Sequence, residues 1–574
     1  RSSTRWLPPM KRRGSGAKGK QNRDKGDGSM KEIKQYETAV LKGRTGAKKA
    51  AALLAAGEIV AIPTETVYGL AADARDPEAV ARIFRAKGRP QDNPLIVHIA
   101  AMEQLAPLVR RIPPMAYQLA ERFWPGPLTM VMEKSDRIPA VTSAGLDTVG
   151  IRMPSHPMAR EIIRLSGCPL AAPSANTSGK PSPTTARDTL DDMRGKIPAV
   201  VDGGPCAVGV ETTVVDMTGD YPKILRPGAI TEEMIVQAVG GAETDAATLH
   251  GLAAGERPKA PGMKYRHYAP KAPVRLFEGP PDRTAEAVLQ ALQPGDGVLC
   301  FEEYLPQLGE KKKRLVYSLG WSWDYAEHSR RLFSLLRRFD HTGARRILAQ
   351  CPRAFGTNAG AVNRFRKSAG FQCEDCREGR LVVGVTGRSG SGKSLLTGYL
   401  AEQGAFVLDA DAIYHTLLET DGEMLEQIGR RFPGTVENGG LDRRALGTMV
   451  FADPQALADL NAITHGRVKA YMDRAIRETD RRLVVLDVPL LFESGIDRLC
   501  DLTLGLLADR EGSLRRIMAR DGIQRDRAER RLDAQPADGF YRARCDVLLE
   551  NRGTLAEYRE KIVRFYEKYC GGSR

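Results

Sequence analysis

The stretch that decides the fold of the last third of this chain is Gly387-Arg-Ser-Gly-Ser-Gly-Lys-Ser394. It fits the phosphate-loop pattern G-x-x-x-x-G-K-[ST] and directly follows the apolar run 381–386, which predicts a strand leading into the loop. In that context the backbone amides around Gly387, Gly390 and Gly392 can wrap phosphates at a helix N-terminus. Lys393 can reach the outer phosphates and Ser394 can hold Mg²⁺. The pattern therefore predicts a site for ATP or GTP.

Two predicted strands further along the chain end in acidic residues. Asp409-Ala-Asp411 closes the run 405–408, and Asp487 closes the run 483–486. Ligands of open α/β sheets lie at the carboxyl ends of the strands, so these carboxylates are expected near the bound phosphates. One of them can act as a general base on an attacking hydroxyl, and another can hold Mg²⁺ through water. The alternative for either residue alone is that it caps the helix that follows.

The whole of 381–574 resembles dephospho-CoA kinase. The motifs that carry this resemblance are the phosphate loop, Asp409-Ala-Asp411, 441–446, 460–465, 487–493, Arg520-Asp-Gly522, Gln535 and Asn551. The resemblance implies transfer of the ATP γ-phosphoryl group to the ribose 3′-hydroxyl of dephospho-CoA. It also implies Asp411 as the base, Lys393 and the loop amides on the phosphates, and Ser394 on Mg²⁺.

Two details of this region are specific to the chain. Arg388-Ser389 replaces the Gly-Ile that is common in the family after the first loop glycine, and because the loop binds through its backbone there, we expect activity to survive with a changed nucleotide affinity. Arg515, Arg516 and Arg520 lie near the expected lid, where guanidinium groups can stabilise transition-state charge. The alternative for these arginines is a solvated helix face.

The first part of the chain contains a second set of motifs. After a predicted strand comes Pro63-Thr-Glu-Thr-Val-Tyr-Gly-Leu70, and a helix with Asp76 as cap, Pro77 in its first turn and Gly88 at its end is expected next. Lys87-Gly-Arg89 follows, with its two cations expected on one side of an extended segment, a geometry suited to a triphosphate. Small hydroxyl, amide and glycine residues recur after later strands in 147–152, 172–182, 211–216 and 226–228.

Together these motifs resemble the YrdC-type domain of threonylcarbamoyl-AMP synthase over about 36–240. The dense motif 261–270 and the small unit that ends at Asn363-Arg-Phe-Arg-Lys367 resemble the long form of that enzyme, whose linker closes over the active site. The resemblance implies that L-threonine, bicarbonate and ATP give threonylcarbamoyl-AMP and pyrophosphate, the activated intermediate for N6-threonylcarbamoyladenosine in tRNA.

Carried onto matching positions, the resemblance implies an ATP-binding set and a threonine-binding set. The residues expected to face ATP are Lys87, Arg89, Asn93, Thr148, Ser174, Ser182, Arg226 and Tyr265, and those expected to hold threonine are Thr66, His98, Arg152 and Thr212. An arginine suits the threonine carboxylate because it can bind it bidentately. No side chain is an obvious nucleophile, so catalysis is expected to rest on positioning and charge stabilisation, with Lys87 and Arg89 as the main cations.

The fold class expected is α/β throughout, in three folded units. The boundaries we predict are a disordered basic tail at 1–29, a YrdC-like twisted α/β domain at 30–240, a linker at 241–271, a small Rossmann-like α/β domain at 272–369, a second linker at 370–380, and a phosphate-loop kinase domain with a doubly wound parallel sheet at 381–574. Residues 1–29 hold nine Lys or Arg against two Asp. Because the chain begins at Arg1, the tail either belongs to the mature protein or precedes a start at Met30.

The amino-acid composition limits the cellular compartments and the binding partners that we expect. The 574 residues include nine scattered cysteines, which form neither a disulfide framework nor a zinc site, and no apolar run is long enough to span a bilayer. We therefore expect a cytoplasmic enzyme without membrane contact, with the small-molecule substrates above, Mg²⁺ as cofactor and a downstream tRNA-modifying transferase complex. The formal charge of +15 leaves a weak RNA contact open, and one half could instead be a catalytically silent RNA-binding or regulatory module.

Overall fold

The computed structural model of this protein describes residues 35–245, 248, 268–309, 315–437 and 440–571. The basic tail, most of the motif 261–270 and Tyr265 lie outside the described residues, so the predictions made for them are not addressed by the structure. Within the described part, no helix is both long and apolar enough to cross a membrane.

The described residues form three large β-sheets with helices packed against them and one two-stranded hairpin, which confirms the expected mixed α/β class with parallel sheets. The N-terminal domain holds a mixed eleven-stranded sheet in the order β1-β8-β2-β3-β7-β4-β6-β5-β9-β10-β11. Its strands are β1 Ala39–Lys42, β2 Val60–Ile62, β3 Gly69–Asp73, β4 Ile96–His98, β5 Leu128–Glu133, β6 Thr148–Arg152, β7 Leu170–Ala171, β8 Ala199–Asp202, β9 Thr213–Asp216, β10 Lys223–Arg226 and β11 Glu243–Thr244.

The helices of this domain cover the sheet. They are Gly43–Ala55, Pro77–Lys87, Pro114–Phe123, Ala140–Ser143, Pro157–Ser166, Ala186–Met193 and Glu232–Val239. The helix Pro77–Lys87 has the predicted ends, because the Asp76 carboxylate accepts hydrogen bonds from the amides of Glu78 (2.9 Å) and Ala79 (3.3 Å), and Gly88 adopts a left-handed conformation with φ of 61°.

The small domain is a five-stranded parallel sheet in the order β14-β13-β15-β12-β16. Its strands are β12 Val274–Glu278, β13 Gly297–Cys300, β14 Leu315–Ser318, β15 Ile347–Gln350 and β16 Cys373–Asp375, and its helices are Pro281–Ala291, Leu305–Gly309, Tyr325–Phe339 and Ala359–Ser368. The stretch 370–380, which we expected to be a linker, therefore supplies the edge strand β16 of this sheet. The sequence Cys-Glu-Asp has no apolar alternation to reveal it.

The C-terminal domain is also a five-stranded parallel sheet, in the order β18-β21-β17-β22-β23. Its strands are β17 Leu381–Gly387, β18 Phe406–Asp409, β21 Leu483–Asp487, β22 Leu502–Ala508 and β23 Val547–Asn551, and a separate hairpin joins β19 Val436–Glu437 to β20 Gly440–Leu441. The helices are Lys393–Glu402, Ala410–Thr420, Gly422–Arg431, Arg443–Ala452, Pro454–Glu478, Arg510–Asp521, Arg525–Asp533, Asp538–Arg544 and Leu555–Tyr569.

Apolar cores lie on both faces of this sheet. One core joins strand side chains to the helices between 410 and 478, and the other joins them to the helices Lys393–Glu402 and Leu555–Tyr569. A parallel sheet buried on both faces requires such near-continuous apolar strands, as in Val382, Val383 and Val385 of β17. This packing fixes the carboxyl ends of β17, β18 and β21 at one edge, where the phosphate loop begins.

Candidate active sites

The phosphate loop of the C-terminal domain depends on its three glycines for shape. Gly387, Gly390 and Gly392 have φ angles of 147°, 74° and 103°, in the region that favours glycine. A Cβ added at Gly390 would lie 2.6 Å from the Ser513 carbonyl oxygen. At Gly392 it would lie 2.6 Å from the Asn551 amide nitrogen. The loop is therefore closely packed against its neighbours as well as left-handed.

Side chains from β23 and the last helix hold this loop in place. The Asn551 side-chain amide donates to the Ser391 carbonyl (2.9 Å), and the Tyr558 hydroxyl donates to the Gly392 carbonyl (3.2 Å). The Lys393 ammonium donates to the Gly387 carbonyl (2.9 Å). The ammonium thus lies across the loop, where a phosphate bound to the amides would meet it.

The predicted carboxylates meet at the carboxyl ends of neighbouring strands. Asp409 and Asp487 are register partners at the ends of β18 and β21. Asp409 also caps the next helix, accepting from the Ala412 amide (2.9 Å), so the capping alternative is correct for this residue. Asp411 lies exposed in the first turn of that helix.

Asp487 lies in a partly buried position beside Lys393. Burial raises its pKa to about 6, and the nearby Lys393 charge opposes that rise. Burial likewise lowers the pKa of Lys393, against the attraction of Asp487 and Asp411. Asp487 Oδ1 is buried and has no hydrogen-bond partner among the described residues. The site therefore contains a carboxylate oxygen that is available to a ligand.

Asp411 opens onto a cavity of about 230 Å³. The other residues that line it are Ala410, Tyr414, Leu460, Asn461, Thr464, His465, Val468, Val488, Pro489, Leu490, Ser494 and Ile496. A mainly apolar pocket with a few polar groups is the usual form of a small-molecule site. We call it the acceptor cavity.

The region expected to form a lid contacts the phosphate loop directly. The Arg388 guanidinium donates to the Leu532 carbonyl (2.5 Å), the Ser389 amide donates to Gln535 Oε1 (2.8 Å), and Arg516 donates to the Gly390 carbonyl. The residues that depart from the family pattern thus anchor the loop to the helix Arg525–Asp533 and to Gln535 just after it, through side chains as well as backbone. Arg515 is exposed and Arg520 pairs with Asp521 (2.7 Å), so these two follow the solvated-face alternative in this state.

In the N-terminal domain, three adjacent strands bring together most of the predicted threonine-binding residues. Strand pairing sets Arg152 on β6 beside both His98 on β4 and Thr129 on β5. The Thr129 hydroxyl hydrogen bonds to that of Thr212 (2.8 Å). Arg152 forms an ion pair with Glu65 (2.7 Å), the neighbour of the predicted Thr66. All of these side chains are buried.

His98 is neutral in this arrangement. Its Nδ1 lies 3.2 Å from the Ile96 carbonyl oxygen, and burial together with the Arg152 charge lowers its pKa to about 3. A neutral imidazole can present one donor and one acceptor to a ligand. The same environment would satisfy a purely structural histidine, so geometry alone leaves its role a prediction.

The expected geometry of Lys87-Gly-Arg89 is wrong. Lys87 is the last residue of a helix and Gly88 turns the chain in a left-handed conformation, so the segment is not extended. The Lys87 ammonium is buried and donates to the carbonyls of Ser174 and Asn176, the latter at 2.6 Å. Arg89 donates to the Pro94 carbonyl (3.1 Å). The two cations are thus held from separate directions by the loops that carry Ser174 and Asn93.

A second buried cluster lies around Glu211. Its Oε1 accepts from the predicted Ser182 (2.5 Å), and its Oε2 accepts from Arg364 of the small domain (3.0 Å). Arg364 is fully buried and also donates to the carbonyls of Glu211 (3.0 Å) and Pro227. Predicted Arg226 donates to the Thr212 hydroxyl (3.0 Å), which links this cluster to the threonine-binding set.

The remaining predicted residues are placed as follows. Asn93 is buried with its side-chain oxygen unpartnered among the described residues, and Ser174 forms a β-bridge with Gly69. Thr148 begins β6, about 13 Å along the strand from Arg152. The structure brings Thr148 into no described hydrogen bond with the others.

Sequence reasoning missed four residues that the structure puts in this site. Glu65 and Glu211 lie inside motifs that we had singled out, and Arg364 and Lys367 lie in the motif at the end of the small domain. Burial, Arg364 and Arg226 lower the pKa of Lys367 to about 7. A buried carboxylate beside several cations is visible only once distant parts of the chain are in place, although the charged motif 363–367 was a usable signal.

The fold and the two sites define a protein with two phosphate-binding α/β units on one chain. Three family models match it: one described as telomere recombination over 52–228, one as the threonylcarbamoyl-AMP synthase C-terminal domain over 230–370, and one as dephospho-CoA kinase over 381–557. A threonylcarbamoyl-AMP synthase of Pyrococcus abyssi is 45% identical over 56% of this chain and 94% of its own length.

Two further proteins complete the comparison. A dephospho-CoA kinase of Symbiobacterium thermophilum is 42% identical over 33% of this chain and 82% of its own length. The crystal structure of P. abyssi Sua5 complexed with L-threonine superimposes with a TM-score of 0.55 at 43% identity, covering 59% of this chain and 99% of that one. The chain belongs to the threonylcarbamoyl-AMP synthase family over 52–370 and to the dephospho-CoA kinase family over 381–557, and is a fusion of the two. Both activities use ATP, as expected from the sequence.

Proposed function

We propose that the two halves catalyse two chemically independent reactions through the residues described above. The kinase transfers the ATP γ-phosphoryl group to the ribose 3′-hydroxyl of dephospho-CoA. The synthase converts L-threonine, bicarbonate and ATP into threonylcarbamoyl-AMP and pyrophosphate, for N6-threonylcarbamoyladenosine in tRNA. The observation that carries the first assignment is that Asp411 lines the acceptor cavity and lies close enough to Lys393 of the phosphate loop to attract its charge. The observation that carries the second is the buried set of cations around Glu211 and Arg152.

In the kinase, we assign the general base to Asp411. Its exposed carboxylate can accept the proton of an acceptor hydroxyl that enters the cavity of about 230 Å³. The loop amides and Lys393 then hold the phosphates and neutralise charge on the transferred group. Phosphoryl transfer needs little covalent help from the protein, so positioning is the main contribution.

The kinase residues also fit a magnesium ion. No group of three or more His, Cys, Asp or Glu in the described residues makes a closed metal site. Mg²⁺ instead prefers one or two carboxylates with substrate phosphates and water. The exposed Ser394 hydroxyl and the unpartnered Asp487 oxygen match that preference. The ion would supply charge neutralisation to the ATP phosphates.

In the synthase, we assign the threonine carboxylate to Arg152 and the triphosphate to the cations Lys87, Arg89 and Arg226. Arg152 is a buried guanidinium whose strand pairs with those of His98 and Thr129, and Thr129 hydrogen bonds to Thr212, so these side chains can orient the amino and hydroxyl groups. The relative of known structure was crystallised with L-threonine, which supports this substrate. The remaining predicted ATP contacts, namely Asn93, Thr148, Ser174, Ser182 and Tyr265, keep their assignments as part of the proposal.

The test is a product assay on the full chain with ATP, Mg²⁺, L-threonine, bicarbonate and dephospho-CoA, read by mass spectrometry with one component omitted at a time. We expect threonylcarbamoyl-AMP with pyrophosphate only when threonine and bicarbonate are present, and CoA with ADP only when dephospho-CoA is present. A missing product pair would reassign that half as a silent module.

We also propose a cytoplasmic location and a downstream tRNA-modifying transferase as partner. The nine cysteines are all free, which suits a reducing compartment. A weak RNA contact is tested by salt-dependent tRNA binding with and without residues 1–29. Binding that persists without the tail would support a contact by the folded part, and binding lost with the tail would exclude it.

A further inference from the structure

The surface between the small domain and the kinase contains a ladder of complementary charges. On the small-domain helix Pro281–Ala291, Asp282, Arg283 and Glu286 carry the signs minus, plus, minus. On the kinase helix Pro454–Glu478, Lys469, Asp473 and Arg477 carry the opposite signs at four-residue intervals, which places them along one side of the helix.

Each position of the ladder is paired across the boundary. Lys469 lies 2.6 Å from Asp282, Arg283 donates to Asp473 (2.7 Å), and Arg477 donates to Glu286 (3.0 Å). The Arg283 side chain is only 11% exposed and that of Asp473 is 30% exposed, so the pair is partly withdrawn from solvent. Charge pairs across an interface fix the register of two surfaces more than they add affinity.

The kinase helix that carries this ladder also forms a wall of the acceptor cavity. Leu460, Thr464 and Val468 line the cavity from one side of the helix, and Lys469 follows Val468 directly. A displacement of the ladder would therefore move the cavity wall, because a helix transmits displacement along its axis.

A second wall of the cavity rests on the same small-domain helix. The turn Ile496–Leu499 contacts the helix Pro281–Ala291, and Ile496 lines the cavity. The Tyr304 hydroxyl donates to Asp282 (2.5 Å), which holds the first rung from within the small domain. A separate buried pair, Arg353 with Asp546 (2.9 Å), joins the two domains near β23.

We propose that the small domain, besides serving the synthase, positions the acceptor cavity of the kinase through the helix Pro281–Ala291. Arg283 and Lys469 are positioning residues in this scheme and touch no reacting group. The inference rests on the proposed assignment of that cavity to dephospho-CoA. The phosphate loop follows the carboxyl end of β17, whereas the ladder helix meets this region before its amino end, where Arg380 donates to the Arg477 carbonyl (3.1 Å), so the effect should be confined to the acceptor.

The test compares steady-state kinase kinetics of the full chain with two charge reversals, Arg283→Glu and Lys469→Glu. Each reversal sets like charges against each other across the boundary. We expect the KM for dephospho-CoA to rise about five- to tenfold, with kcat and the KM for ATP within about twofold. The conservative variants Arg283→Lys and Lys469→Arg keep the signs and should remain close to the wild type.

The matched control is Arg430→Glu, which reverses one member of an exposed pair with Glu426 on another kinase helix. It should leave every constant unchanged. A KM for dephospho-CoA that moves no more in the reversals than in this control, or no more than the KM for ATP, would overturn the inference. Wild-type turnover of dephospho-CoA is measured first, because its absence would reject the proposed function instead.

Discussion

The two sites that we propose for ATP differ in their physical means of binding it. The proposed kinase site uses backbone amides of an eight-residue loop, three glycines that make room for phosphates, and one ammonium, Lys393. The proposed synthase site is made of buried side chains, including Lys87, Arg226 and Arg364, that come from parts of the chain almost 300 residues apart. Phosphate recognition can therefore be encoded locally by backbone shape or globally by the packing of charged side chains.

The two sites also differ in how their positive charge is stabilised. Backbone dipoles in the kinase loop need no counter-charge and are fixed by hydrogen bonds from Asn551 and Tyr558. The buried cations of the synthase would be costly alone, and Glu211 and Glu65 offset them through direct pairs with Arg364 and Arg152. We expect the synthase site to be more sensitive than the kinase site to changes outside the residues that touch ATP.

The largest expected effects come from removing one ammonium at each site. Lys393→Ala should lower kinase kcat about a hundred- to a thousandfold, and Lys87→Ala should do the same to the synthase, because each removes a preorganised positive charge from a transferring phosphate group. Each variant should spare the other activity, measured on the same sample. Loss of both activities in either variant would contradict independent sites.

The next effect tests whether the kinase site depends on backbone shape. Gly390→Ala forces a left-handed residue and a Cβ contact of 2.6 Å with the Ser513 carbonyl, so kinase kcat/KM for ATP should fall roughly ten- to a hundredfold.

The matched control for this change is Gly398→Ala, in the helix that follows the loop. Nothing lies within 4 Å of a Cβ added there, and alanine favours a helix by about 0.5–1 kcal/mol. Its kinase activity should match the wild type and its melting temperature should not fall. Equal activity of the two alanine variants would show that the loop tolerates a side chain and that its shape is not the determinant.

The sequence predicts features that depend on neighbouring residues better than features that depend on residues far apart in the chain. The loop Gly387–Ser394, the strand-end acids and the capped helix Pro77–Lys87 follow from residues that are neighbours in the chain, and the structure reproduces them. The placement of Lys87 and Arg89 was mispredicted because a helix end at Gly88 redirects them, although Gly88 itself had been identified as the stop.

The Glu211–Arg364 pair could not be predicted from the sequence for a different reason. The two residues are 153 positions apart and lie in different domains, so neither has a local pattern that indicates the other. Close backbone approach makes the contact possible, because a Cβ added at Gly360 would lie 2.7 Å from the Cα of Gly228. Sequence alone suggests a charged motif at 363–367 and leaves its partner unknown.

Arg364→Met tests whether the synthase site depends on a residue from a distant part of the chain. The change leaves Glu211 buried without its ion-pair partner, while its bond from Ser182 remains, which should destabilise the synthase part by about 3–5 kcal/mol. We expect synthase kcat/KM for ATP to fall at least about tenfold at a temperature where the protein remains folded. Circular dichroism at the assay temperature provides that check.

The double variant Arg364→Met/Glu211→Gln supplies the control, since it removes both charges of the pair and should recover much of the lost stability. Kinase activity should be unchanged throughout. A single variant with wild-type synthase kinetics would show that Arg364 contributes no charge to the ATP site.

The smallest expected effect is a pH dependence of the synthase that arises from one buried lysine. Lys367 lies in the same cluster as Arg226 and Arg364, and its pKa of about 7 makes it charged below neutral pH and largely neutral above it. Synthase kcat/KM for ATP should therefore decrease several-fold as the pH rises through about 7, because kcat/KM reports groups of the free enzyme.

Two variants serve as controls for this pH dependence. Lys367→Arg, which stays charged, should keep the high value of kcat/KM across this range, and Lys367→Met should keep the low one. ATP titrates identically in all three proteins, so their ratios isolate the lysine. Parallel pH profiles of kcat/KM for the wild type and both variants would show that Lys367 does not bind phosphate. The phosphate-binding cluster of cations would then be smaller than the structure implies.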